Sequence, residues 1–133
     1  MSQENIDLVK RSIAAYNGPD FEGLREVSHA DLQLDWSESL GLEAGIYQGI
    51  VEVLDFYENF LGTFEEVDLK PDRFIESGDS VVVPNTAHIR GRDGIETIAR
   101  STLVFEIRDR MIIRIRLYQE TNDALEAVGL SPS

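Results

Sequence analysis

The chain has 133 residues, no cysteine and a formal net charge of −13, from 25 Asp and Glu against 12 Lys and Arg. That length suits one domain, spanning residues 1–133, that buries a core without covalent staples, and the missing cysteines exclude disulfides, thiolate metal sites and a cysteine nucleophile. Such acidity repels polyphosphate chains and anionic lipid, so neither nucleic acid nor a membrane is an expected partner. The stretch Met1-Ser2-Gln3-Glu4-Asn5 is polar and acidic where an export signal would be basic and then apolar, and no apolar run approaches the roughly 18 residues of a membrane span. A cytoplasmic protein is the expectation.

Ile6, Val9, Ile13 and Tyr16 recur with the spacing of one buried helical stripe. Asn17-Gly18-Pro19 ends that helix with a pair suited to a left-handed cap and a residue that cannot continue it. Asp20 then caps a short second helix with Phe21, Leu24 and Val27 on one face. From Asp31 the period becomes two: Leu32, Leu34 and Trp36 point one way, Asp31, Gln33 and Asp35 the other, which is a half-buried strand. Residues Ser37 to Gly49 form an irregular connection around a short Ile46-Tyr47 segment. Ile50, Val53, Leu54, Tyr57 and Leu61 define a third, strongly apolar helix flanked by Phe56 and Phe60.

Four strands follow, over Val67 to Ser77, Ser80 to Arg90, Glu96 to Arg108 and Met111 to Tyr118. Short turns at Gly78-Asp79, Gly91-Arg92-Asp93-Gly94 and Arg108-Asp109-Arg110 join them and imply antiparallel neighbours. Thr121 to Val128, stopped by Gly129, reads as a terminal helix. Helices first and a meandering sheet afterwards make an α+β order. A sheet that long must curl, and curled around the third helix it leaves a closed apolar end and an open mouth where a pocket forms. No Walker loop, dinucleotide fingerprint or metal-ligand spacing occurs, so no metal, nucleotide or flavin cofactor is expected.

In order and spacing, Ala30-Asp31-Leu32-Gln33-Leu34-Asp35-Trp36, Gly45-Ile46-Tyr47-Gln48-Gly49 and Phe74 to Val83 are similar to SnoaL-like proteins of the nuclear transport factor 2-like, or ketosteroid isomerase-like, superfamily. So are Ile112 to Tyr118 and Asp123 to Leu130. The resemblance implies a cone-shaped α+β fold, commonly a homodimer, with a central pocket for a small, partly apolar organic molecule. Members range from polyketide cyclases, isomerases, dehydratases and hydrolases to non-catalytic binding domains, so a cofactor-free acid/base enzyme and an accessory binding domain are both open. The steroid isomerase machinery is not matched. Ser12 stands where its donor tyrosine belongs, Trp36 where its base belongs, and Ser101 or Thr102 where its second donor belongs, while Tyr57 resembles a supporting tyrosine.

Strand alternation turns Val81, Val83, Asn85, Ala87 and Ile89 inward together with Ala99, Ser101, Leu103, Phe105 and Ile107, none of them ionisable. For an enzyme, the candidate acid/base groups are then Asp35, which reaches the pocket only across a bulge, and His88, should its face turn inward. Tyr57 is the candidate hydrogen-bond donor, and Glu38 and Glu43 stand in the loop that borders the mouth. Tyr16, Trp36, Tyr57, Phe60, Asn85 and Ser101 are the expected pocket lining. The opposite face, with His88, Arg90, Thr102, Arg114, Arg116, Tyr118 and Ile112, reads either as a solvated ladder of ion pairs or as the homodimer interface.

Overall fold

The computed structural model describes residues 2–40 and 44–131. Three helices come first among the strands: α1 (Ser2–Asn17), α2 (Phe21–Val27) and α3 (Ile50–Thr63), with β1 (Ser28–Asp35) and β2 (Ile46–Gln48) between the last two. Then follow β3 (Glu66–Pro71), β4 (Ile75–Ser77), β5 (Ser80–Arg90), β6 (Glu96–Arg108), β7 (Met111–Tyr118) and α4 (Thr121–Ala127). The strands form one mixed, curved sheet in the order β2-β1-β7-β6-β5-β3, with β4 also on β5. Every pairing is antiparallel except β1 with β7, which is parallel.

The apolar stripe of α1 buries Val9 and Ile13, and α2 adds Leu24 and Val27. Helix α1 reaches β3, β5 and β7, while α3 lies beside β1 and β2, so the sheet curls around the first helix rather than the third. Gly18 takes no left-handed conformation. Instead the Asp20 N–H donates to the Ala15 carbonyl at 2.6 Å, and the Asp20 carboxylate caps α2 by accepting from the Gly23 N–H at 3.0 Å. That leaves Asn17 free to mimic a strand. Its Nδ2 donates to the Leu69 carbonyl at 2.9 Å and its Oδ1 accepts from the Leu69 N–H at 2.8 Å, fastening the end of α1 to β3.

The expected strand over Val67 to Ser77 is two strands on the same edge of β5. Pairing stops at Pro71 with Asn85 and resumes at Ile75 with Val82, so residues 72–74 face residues 83–84. Pro71 and Pro84 lack the N–H groups that a continuous ladder would use. The β6–β7 turn is tight, with Asp109 and Arg110 both at positive φ, as a two-residue hairpin of this twist requires. Helix α4 ends in a Schellman arrangement: Gly129 sits at φ 82°, its N–H donates to the Glu126 carbonyl at 3.0 Å, and the Leu130 N–H reaches the Leu125 carbonyl at 2.9 Å.

Two cores result. The concave core joins α1, α2 and α3 to the inner sheet face, and a smaller convex one joins Ala124 and Leu125 of α4 to Val82 and Val104. This second layer corrects the expected outer face. Thr102 is covered by α4 and shares a 2.7 Å hydrogen bond with Thr121. Ile112 is fully buried in the concave core, because a register shift between Glu106 and Ile107 changes the phase of the strand pair. No helix among the described residues is long and apolar enough to cross a membrane.

Because Asn17 supplies both polar atoms that β3 would otherwise lack at Leu69, Asn17→Ala should destabilise the fold by about 1–3 kcal/mol. Urea denaturation should show a lowered midpoint with an unchanged slope. An unchanged midpoint would mean that these bonds carry no net stability.

Candidate functional site

Side-chain size changes along the concave face. In register across β5 and β6, Val81 meets Phe105 and Val83 meets Leu103, and these large pairs fill one end of the curl. Further along, Asn85 meets Ser101 and Ala87 meets Ala99, with Leu69 of β3 beyond Ala87. The side chains shrink toward this second end, which is hollow.

The hollow is a cavity of about 460 Å³ whose walls include Trp36, Phe60, Phe64, Ala87, Ala99 and Leu103. A small inner chamber of about 30 Å³, enough for one or two waters, lies toward the helices and is lined by Ser12, Ile13, Leu24 and Tyr57 among others. Tyr16, Trp36, Leu69 and Leu103 line both spaces, so the chambers adjoin. Most of the wall is apolar or aromatic.

The aromatic wall is built from α3 and the end of β1. Phe56, Phe60 and Phe64 stand four residues apart, with ring centroids 5.6 and 5.4 Å apart along the row, and Trp36 contacts Phe56 and Phe60 at 5.9 and 6.3 Å. Trp36 is held by its backbone, whose N–H donates to the Gly45 carbonyl at 2.7 Å. Tyr16 of α1 and Tyr57 of α3 meet edge to face at 5.2 Å. Burial raises both phenols above the ordinary tyrosine range, and for Tyr57 the neighbouring Tyr16 adds to the effect. Both therefore stay protonated at neutral pH. Among the described residues neither hydroxyl, nor that of Ser12, has a hydrogen-bond partner, and all three groups border the inner chamber.

The other residues singled out from the sequence are dispersed. Ser101 lines the cavity and donates to Asn85 Oδ1 at 3.2 Å. Asn85 is fully buried, donates in turn to the Val83 carbonyl at 3.1 Å, and borders a neighbouring polar cleft rather than the apolar cavity. Asp35 lies on the face away from the cavity and accepts from the Ser37 N–H at 3.1 Å and hydroxyl at 2.6 Å, a local turn. His88 is exposed on the outer face opposite Asp68, in a shallow groove with Glu66, Arg90 and Glu96. The Glu38 carbonyl accepts from Gln119 Nε2 at 2.7 Å, and Glu43 lies outside the described residues. Among the described residues no carboxylate lines either chamber, and no group of three or more His, Asp or Glu could hold a metal ion.

Sequence reasoning missed Gln119 and Arg100 at the mouth. Alternation sends Arg100 outward, but β7 ends at Tyr118, opposite Thr102, so β6 runs on past its neighbour and Arg100 stands at a free edge beside the opening. The expected strand bounds, Glu96 to Arg108 and Met111 to Tyr118, already contain this overhang.

The model of the SnoaL-like domain family matches residues 9–115 of the chain. No curated protein matches it in sequence. Among solved structures it is similar to TerC co-crystallised with polyporic acid, at 24% identity and TM-score 0.76 over 94% of this chain and 97% of that one. A Catenulispora acidiphila protein with a ketosteroid isomerase-like fold, in complex with trimethylamine, is 16% identical, with TM-score 0.74 and 94% of each chain covered. A Mycobacterium tuberculosis protein in complex with estradiol-17β-hemisuccinate is 14% identical, with TM-score 0.76 over 88% of this chain and 94% of that one. With the family model spanning most of its length, this chain belongs to the SnoaL-like domain family.

Proposed function

We propose that the chain binds a small, partly apolar organic molecule in the aromatic-walled cavity, with the hydroxyls of Tyr57, Tyr16 and Ser12 donating to an oxygen at its inner end. The single observation that carries this reading is the unfilled space itself, apolar on most sides and ending at hydroxyls without protein partners. Asp35 and His88 lie away from it, so a binding domain is favoured over an acid/base enzyme. If the cavity supports a reaction, Tyr57 is the residue suited to it, as a donor that polarises a carbonyl without giving up its proton. Neither reading calls on a cofactor or metal.

A homodimer is the proposed assembly, and the outer face supports it. The Nε atoms of Arg114 and Arg116 are buried without hydrogen-bond partners, although both guanidinium groups reach Glu106, at 3.8 and 3.0 Å. Arg114, Arg116 and Tyr118 are half-buried on this face, and arginine and tyrosine suit interfaces because they combine apolar area with directed hydrogen bonds. Sedimentation should give twice the chain's 15.0 kDa, and a mass at 15.0 kDa would contradict the dimer.

Trp36 is the chain's one tryptophan and lines both chambers, so its fluorescence reports on their occupancy. Titration with 2-acetylnaphthalene, an aromatic ketone, should change that fluorescence saturably, and Tyr57→Phe should weaken binding about fivefold, the worth of one neutral hydrogen bond. A wild-type protein that shows no saturable change would overturn the reading.

The tyrosines also give a titration test. Four are present, and absorbance should show Tyr16 and Tyr57 still protonated at about pH 11, where exposed phenols have ionised. The unfolded chain releases those protons near its ordinary tyrosine pKa while the folded one keeps them, so stability holds below about pH 10 and falls as pH rises beyond it. Ionisation of all four tyrosines without unfolding would contradict the burial of these two.

A further inference from the structure

This inference rests on the cavity reading and names the chemistry of its ligand. Among the described residues lining the two chambers, Arg100 is the one group charged at neutral pH. It belongs equally to the polar cleft of about 350 Å³ next door, where Ser101 and Gln119 again take part, so it stands where apolar space gives way to polar space. Its position follows from the topology, because β6 continues beyond the end of β7 at that point.

Arg100 makes no ion pair or hydrogen bond with a described residue. Arg90, Arg114 and Arg116 on the outer face each have a carboxylate partner. Asp72 and Glu120 border the polar cleft, and neither pairs with it. The other polar groups at the mouth are partly engaged: the Ser101 hydroxyl donates to Asn85, and Gln119 Nε2 donates one hydrogen to the Glu38 carbonyl. The guanidinium is therefore the principal free donor, with a planar fork that matches a carboxylate. An apolar body in the cavity would bring an anionic end group against it.

We propose that the cavity selects apolar molecules bearing a carboxylate, and that Arg100 at the mouth supplies the selection. The net charge of −13 disfavours anions everywhere else on the molecule, so a preference for an anion must come from a local group. The test compares naphthalene-2-carboxylate with naphthalene-2-carboxamide, its uncharged counterpart, by Trp36 fluorescence. The wild type should bind the carboxylate about three- to fivefold more tightly, as an ion pair with an exposed guanidinium implies, and added salt should narrow that margin. Arg100→Gln should remove the preference by lowering carboxylate affinity more than amide affinity, and Arg100→Lys should keep part of it. The substitution is at an exposed position, so the variant should fold, and an unchanged urea midpoint would check this. Equal binding of both probes by the wild type, or a preference that survives Arg100→Gln, would overturn the inference and leave the cavity reading standing. Binding of neither probe would overturn both.

Discussion

The architecture depends on a gradient of side-chain volume along two paired strands. Val81, Val83, Leu103 and Phe105 close one end of the curl and supply the packing that holds helices to sheet, whereas Ala87, Ala99 and Ser101 leave the other end unfilled. Uniformly large residues would give a solid core and uniformly small ones too little buried area to fold. Aromatic rings of Tyr16, Trp36, Phe60 and Phe64 make up one part of the cavity wall and aliphatic side chains the rest.

Polar bonds keep those walls apart. Asn17 ties α1 to β3 through both of its amide atoms, Asn85 anchors Ser101 at the boundary between core and hollow, and Gln119 holds the loop at Glu38 beside the mouth. None of these side chains has a chemical role in the reading given above. They fix the separation of elements that would otherwise close on one another, which is why the cavity precedes any ligand. The pair Tyr16 and Tyr57 follows from the same geometry, since burial between α1 and α3 keeps both phenols protonated.

Much of this was legible in the sequence where it rests on local periodicity. The stripe on α1, the Asp20 cap, the inward set on β5 and β6 and the Gly129 stop all follow from spacing and turn chemistry. Trp36, Tyr57, Tyr16, Phe60 and Ser101 line the two chambers for the same reason. What escaped was set by contacts distant along the chain. Pro71 and Pro84 split one expected strand only because they meet across a ladder. Thr102 is hidden because α4 folds back over the convex face. Arg100 stands beside the mouth because β7 stops short of β6, a consequence of the expected strand bounds rather than of side-chain alternation. Side-chain alternation carries no information about where a neighbouring strand ends.

The central claim is that the space beside Ala87 is a permanent void in the folded chain, and Ala87→Phe tests it most directly. With the void present, the ring enters existing space, so urea denaturation should show stability within about 1 kcal/mol of the parent, and aromatic probes should no longer perturb Trp36. A loss of about 3 kcal/mol or more, typical of forcing a ring into filled space, or undiminished probe binding would contradict it.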